Sequence, residues 1–436
     1  MSGETRRRGW AGRQGRPLNV LWLMSDQHSV RALGCYGNPT VRTPHLDTLA
    51  AGGMTFDRAY CSYPVCVPAR FTMLTGRYPH HTGCTSNNTP LPLRERTAAH
   101  HFASAGYVTA FLGKMHPVDG QTHGFDYYMD FGHYYDYLGP KTRVFTYGMG
   151  AEDSGCGSPW ITIFREPGAQ RSPWVPPGLP RHNDTLEVRE LLAEEDHFES
   201  FVARETIRVL ETYRHEPLFV VASFLKPHNP FAPPAEYAAL YRPEEMPLPH
   251  WPPEQLDALP PQLRGHVAPG AGTPQGEAWA RRFLAAYYGN VTHLDACVGR
   301  ILGALERLGL AEDTLVLYTT DHGEMAYEHG LRGKFNFFEP SARIPLLARL
   351  PGRVPAGTRT QALLDQADFV PTLLDVCGIA PAPRSQAWDG TSAGAVLADP
   401  SAAGKSAAFG EFALTPQGPR PSRASGGAPA PVEPAQ

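Results

Sequence analysis

Four short apolar runs divide the chain, and each ends abruptly in polar residues. Residues 19–25 (NVLWLMS) run into Asp26-Gln27-His28, and residues 108–112 into Gly113-Lys114-Met115-His116. Residues 218–224 (LFVVASF) precede Lys226-Pro227-His228, and residues 315–320 (LVLYTT) precede Asp321-His322-Gly323. Continuous apolar runs of this length, bounded by turn residues, suit strands buried on both faces of a parallel sheet. Between them lie helical patterns over 44–51, 97–105, 196–214 and 278–308. In the last, Phe283, Ala286, Tyr287, Val291, Leu294, Val298, Ile301, Leu302 and Leu305 recur at helical spacing. Strands alternating with helices predict an α/β fold, a mostly parallel central sheet flanked by helices. Ligands in such sheets bind outside the carboxyl ends of the strands, and here four strands each deliver ionisable residues to that edge.

Composition narrows the class. The chain has 436 residues and a net charge of −4, which leaves no global basic footprint for nucleic acid. No apolar run is long enough to span a membrane. Gly 43 and Pro 44 point to many loops. The long Pro- and Gly-rich connections over 148–178 and 227–274 are expected to cover the site and shape its pocket. Seven cysteines, widely spaced and without a C-x-x-C pair, argue against a disulfide framework and a zinc ribbon. The Arg-rich lead lacks the apolar core of a secretion signal, so a disordered lead and a cytoplasmic location are expected.

The densest signal is Cys61-Ser62-Tyr63-Pro64-Val65-Cys66-Val67-Pro68-Ala69-Arg70, leading to Thr75-Gly76-Arg77. Pro68 suits the first turn of a helix and Gly76 its far end. Cys66 then lies at a helix N-terminus, which favours an anion, and Arg70 adds a positive charge on the same helical face.

This C-x-P-x-R string followed by T-G-R resembles the signature of the sulfatase family, whose Cys is converted to formylglycine (3-oxoalanine). The resemblance runs from Asn19 to about Gly378. It includes the early Asp, Gly-Lys-Met-His at 113–116, Lys-Pro-His at 226–228, Asp-His-Gly-Glu at 321–324 and Gly333-Lys334. It implies an alkaline-phosphatase-like fold and a divalent metal held by Asp26, Gln27, Asp321 and His322, with modified Cys66 as a further ligand. Independently, two strands each end in an Asp. Oxygen-rich ligation suits Ca²⁺, with Mn²⁺ the alternative because Gln and His replace two further carboxylates.

The resemblance also implies roles. The hydrated aldehyde at Cys66 attacks through a covalent intermediate, while Arg70, Lys114 and Lys334 neutralise the sulfuryl oxygens. His228 and Lys334 flank the leaving oxygen, and His116 takes a proton from the second hydroxyl. The expected substrate is a small-molecule sulfate ester and the expected partner a formylglycine-generating enzyme, with no nucleic acid or membrane partner. Asp26-Gln27 is similar to the choline sulfatase and phosphonate monoester hydrolase branch, and Gly-Lys-Met-His favours choline sulfatase-like enzymes. Phosphonate monoester or phosphodiester hydrolysis is therefore the second expectation.

The expected divisions are a lead over 1–17, a catalytic domain over 18–379, a remnant of the C-terminal region over 380–414, and a disordered Pro-, Ala- and Ser-rich tail over 415–436. A C-terminal subdomain thus looks truncated, which raises a third expectation, a non-catalytic remnant.

Overall fold

The four apolar runs become the contiguous centre of one eight-stranded sheet in the computed structural model, which describes residues 10, 12–116, 119–138, 145–147, 160–162 and 192–413. In chain order the strands are β1 (Asn19–Asp26), β2 (Met54–Tyr60), β3 (Val108–Gly113), β4 (Tyr127–Met129), β5 (Phe145–Tyr147), β6 (Trp160–Thr162), β7 (Leu218–Pro227), β8 (Thr314–Thr320), β9 (Leu346–Arg349) and β10 (Thr358–Asp365). The large sheet has the order β10-β2-β9-β8-β1-β7-β3-β4, and β5 pairs with β6 separately. β1, β7 and β8 are buried along their whole length, which is why they read as unbroken apolar runs.

β9 is antiparallel to both its neighbours, β8 and β2, and every other pairing in the large sheet is parallel. Two successive reversals restore direction, so β2 points the same way as β8. The strands leading to Asp26, Cys66, Lys114, His228 and Asp321 therefore all end at one edge.

Side-chain alternation along β1 splits the core. Val20, Trp22 and Met24 join one apolar layer, with Phe71, Phe102 and Phe369, while Leu21 and Leu23 join the other. The helix Pro274–Arg307 packs Leu294, Val298, Ile301 and Leu305 into that second layer. Its first half carries Phe283, Tyr287 and Val291 against Phe231, Tyr241 and Trp251 of the Pro-rich connection. That connection thus has an apolar core of its own. The helices expected over 97–105 and 196–214 form as Ala98–Ser104 and Phe198–Thr212.

Four strands of the sheet were not evident in the pattern. β2 and β10 carry charged residues at half-buried or exposed positions (Asp57 half-buried, Arg58 and Arg359 exposed), and β4 and β9 span three and four residues. The described segment 380–413 is tied to the domain. Lys405 Nζ reaches Asp365 at 2.7 Å and Asp368 at 2.9 Å, Glu411 N donates to the Ser62 carbonyl at 2.9 Å, and Phe412 packs on Tyr63. The end of this segment therefore touches the loop that leads to Cys66. The tail over 415–436 and most of 148–178 lie outside the described residues. The six described cysteines are free, and no described helix is long and apolar enough to cross a membrane.

Candidate active site

Cys66 opens the helix Cys66–Thr75, which ends at Gly76 in the left-handed region (φ 71°) with its N–H on the Thr72 carbonyl. Arg70, one turn on, is 1% exposed and lies beneath the strand ends. Its Nη2 donates to Asp26 Oδ2 at 2.8 Å and its Nε to Asp321 Oδ2 at 2.9 Å. Nη1 donates to Ser223 Oγ at 2.8 Å and to the Lys114 carbonyl. The Arg70 fork bridges the two carboxylates, a geometry that a planar guanidinium fits and an ammonium does not.

Around Cys66 Sγ the remaining residues converge. Lys334 Nζ lies at 2.9 Å, His322 Nε2 at 3.4 Å, Lys114 Nζ at 3.7 Å and Asp26 Oδ1 at 3.9 Å. Lys114 Nζ also pairs with Asp26 Oδ2 at 2.6 Å, and His228 Nε2 stands 3.9 Å from Asp26 Oδ1. His116 is buried and near enough to Cys66 for the two to interact electrostatically. All ten residues singled out in the sequence are thus drawn together or directly bonded to those that are. Gln27 and His116 hold left-handed backbone (φ 62° and 68°), a conformation uncommon outside glycine and frequent at functional sites. Gly113 is required between β3 and Lys114, because a Cβ there would lie 1.9 Å from the Ser223 carbonyl oxygen.

Burial raises the Asp26 carboxyl, but Lys114, His228, Arg70 and Lys334 outweigh it and hold it well below the usual range. Its neighbour Asp321 is pushed up to about 6 by burial and by the Asp26 charge. Burial and Asp26 oppose a Cys66 thiolate, yet Lys114, Lys334 and His322 bring the thiol well below its ordinary value. His228 is pushed down to about 4 by burial and Lys114, and burial likewise lowers His116. Burial works against the Lys334 charge, and Cys66, Asp26 and Asp321 more than restore it.

The donor set fits a divalent cation. One ligating atom each of Asp26, Cys66, Asp321 and His322 lie within 4.8 Å of one another, all four residues buried. His322 Nδ1–H donates to the Gly323 carbonyl at 3.1 Å, which leaves Nε2 as the lone-pair nitrogen. Gln27 Nε2 donates to Glu324, so the amide's other end, Oε1, is the atom a cation can use.

Two residues with structural influence went unassigned in the sequence. Glu324 holds Gln27 and also accepts from the Ala326 and Gly333 amides, tying a site residue to the loop that carries Lys334. Gln366, at the end of β10, donates to the Asp321 carbonyl at 2.6 Å and accepts from Ser62 N at 3.0 Å. Glu324 stands inside the Asp-His-Gly-Glu string and could have been found there. Gln366 had no local signal.

Comparison with known proteins agrees with this arrangement. The sulfatase family model matches residues 18–379. An arylsulfatase of Clostridium perfringens is 30% identical over 83% of this chain and 75% of its own length. A choline-sulfatase of Rhizobium meliloti is 31% identical over 84% of this chain and 68% of its own. Among solved structures, the phosphonate monoester hydrolase of Agrobacterium radiobacter superposes with a TM-score of 0.72 at 26% identity, over 90% of this chain and 79% of that one. With the nucleophile string, the paired strand-end aspartates and the convergent cations all in one site, the chain belongs to the sulfatase family.

Proposed function

We propose that the protein hydrolyses sulfate monoesters, with oxidised Cys66 supplying the nucleophile. The observation that carries this reading is the convergence of Lys334, Lys114 and His322 on Cys66 Sγ above two buried carboxylates. In this structure Cys66 is the thiol. Its oxidised and hydrated form, made by a formylglycine-generating enzyme, would supply a hydroxyl nucleophile. A divalent cation held by Asp26, Gln27, Asp321 and His322, Ca²⁺ before Mn²⁺ on donor type, would supply Lewis acidity and lower that hydroxyl's pKa.

The remaining chemistry belongs to the chain. Lys114 and Lys334 present ammonium groups to the anionic sulfuryl oxygens in a site without bulk water, where fixed charge acts strongly. Arg70 positions Asp26 and Asp321. His116, neutral because it is buried, can accept a proton. The two candidates for donor to the leaving oxygen differ in their hydrogen bonding. His228 Nδ1–H donates to the Asn229 carbonyl at 2.8 Å, so Nε2 of the neutral ring carries no proton. Lys334 keeps its proton, which favours it as the donor.

Likeness to the phosphonate monoester hydrolase structure and the Asp26-Gln27 pair support a second reading, phosphonate monoester hydrolysis. Both esters are tetrahedral monoanions near neutral pH, so the cation cluster suits either. The test is co-expression with a formylglycine-generating enzyme and parallel assay on an aryl sulfate and an aryl phosphonate monoester. Mass spectrometry of tryptic peptide 59–70 should show a loss of roughly 18 Da, whereas ordinary Cys oxidation adds oxygen. Sulfate turnover that vanishes in Cys66→Ala is expected. Faster phosphonate turnover would favour the second reading, and a converted Cys66 with neither activity would overturn both.

A further inference from the structure

A second group of ligating side chains lies beside the end of β7. His197 immediately precedes the helix Phe198–Thr212, Glu199 is in its first turn, and His293 sits midway along Pro274–Arg307. One ring nitrogen of each histidine and a Glu199 carboxylate oxygen lie within 4.8 Å of one another. The residues are 3%, 1% and 0% exposed for His197, Glu199 and His293. Buried polar atoms nearly always find a partner, yet His197 Nε2 and His293 Nδ1 are buried with none.

The far side of His293 explains which atom is available. Its Nε2–H donates to Glu194 Oε1 at 3.0 Å, so Nδ1 is the nitrogen without a protein partner, from which a bound cation would displace any proton. A carboxylate behind an imidazole is the usual means of fixing a metal-binding tautomer. On that far side a cation is already present. Arg300 Nη2 donates to Glu194 Oε1 at 2.6 Å, Cys297 Sγ at 2.8 Å and Ser200 Oγ at 3.0 Å, so the Glu194–His293–Cys297 group is satisfied by the protein itself. On the near side, Lys226 turns its Nζ to the Pro230 carbonyl, and its backbone N–H donates to Glu199 Oε1 at 3.0 Å. A carboxylate has lone pairs to spare beyond that bond.

We propose that His197, Glu199 and His293 form a second metal site, separate from the Cys66 centre, for a borderline cation of the Zn²⁺ class. Two imidazoles and a carboxylate are the donor set of three-ligand zinc sites that keep a fourth position for water. Ca²⁺ wants six or more oxygens and is disfavoured here. Bound there, the metal links two helices to the strand end that delivers His228, and its role is positional.

The test uses the full chain, stripped with a chelator, incubated with Zn²⁺ alone and desalted. Metal content is read by plasma mass spectrometry in the parent, in Asp321→Asn to weaken the first centre, and in His197→Asn and Glu199→Gln. About one equivalent should persist in Asp321→Asn and be lost in His197→Asn and Glu199→Gln. Zn²⁺ should raise the melting temperature of Asp321→Asn and leave that of the double variant Asp321→Asn/His197→Asn unmoved. Equal metal content in the parent and both variants would overturn the proposal. Should the variants misfold by circular dichroism, anomalous diffraction from Zn²⁺-soaked parent crystals decides, and no peak between His197 and His293 refutes the site.

Discussion

Arg70→Met removes the guanidinium that bridges Asp26 and Asp321. All three side chains are at most 1% exposed, so water cannot replace the lost charge. Deleting one partner of a buried ion pair typically costs about 3–5 kcal/mol, because the abandoned anion stays desolvated. Here two anions are left, but one has an exit. Asp321 already has its carboxyl pushed up to about 6, and losing Arg70 pushes it further. At low pH the folded variant therefore takes up a proton on Asp321 that the unfolded chain does not. A carboxyl whose folded value is raised loses that stabilisation as pH climbs to the folded value, at up to about 1.4 kcal/mol per pH unit. In chelator, the deficit of Arg70→Met against the parent should thus be smaller at pH 6 than at pH 8. Arg70→Lys keeps the charge but cannot span both carboxylates, so it should recover only part of the loss. Saturating Ca²⁺ should also shrink the deficit, since a cation at the same carboxylates does the same neutralising. Urea unfolding followed by fluorescence at both pH values measures all three. A deficit below about 1 kcal/mol, or one that is the same at pH 6 and pH 8, would refute the reasoning.

Three further outcomes follow from named contacts. Glu324→Ala frees the Gln27 amide and should weaken Ca²⁺ affinity about 10–100-fold, with turnover recovered at high Ca²⁺; a calcium titration of activity measures it. Asp295 accepts from the His45 and Leu46 amides at 3.2 and 2.8 Å, capping the helix Pro44–Ala51 from the long helix, so Asp295→Ala should lose about 1–2 kcal/mol in urea unfolding. Burial pushes His28 and His101 down to about 4, so each is neutral in the fold while the unfolded chain protonates near pH 6.5. Stability should therefore fall as pH drops from about 6.5 towards 4, and His101→Gln should flatten that fall in a pH series of melting temperatures.

Much of this protein was legible in the chain because its central strands are buried on both faces. Such strands must be apolar throughout, and they must stop where the chain meets water, so their ends announced Asp26, Lys114, His228 and Asp321 without any three-dimensional information. The helix behind Cys66 was equally legible, since Pro68 and Gly76 act through local backbone geometry. β2 was not. It carries a half-buried Asp57 and an exposed Arg58 beside β10, and its direction depends on the antiparallel insertion of β9, a pairing that no local pattern encodes. Yet β2 is the strand that brings Cys66 to the common edge. Residue identity likewise specified that Arg70 is a cation near the nucleophile, but only packing determined what it touches. Once Lys114 and Lys334 occupy the space around Sγ, the buried carboxylates beneath need a counter-charge, and Arg70 is the group whose fork spans them. The second histidine cluster has the same character. His197 and His293 stand about a hundred positions apart, one at the start of a helix and one within another, and only the packing of those helices against β7 brings a ring nitrogen of each within 4.8 Å of the other. The sequence alone determined which elements form and what chemistry each strand end carries, because burial and turn geometry are local demands. The tertiary structure decided which charges meet, because in a dry interior every charge must be answered by whichever group the packing brings beside it.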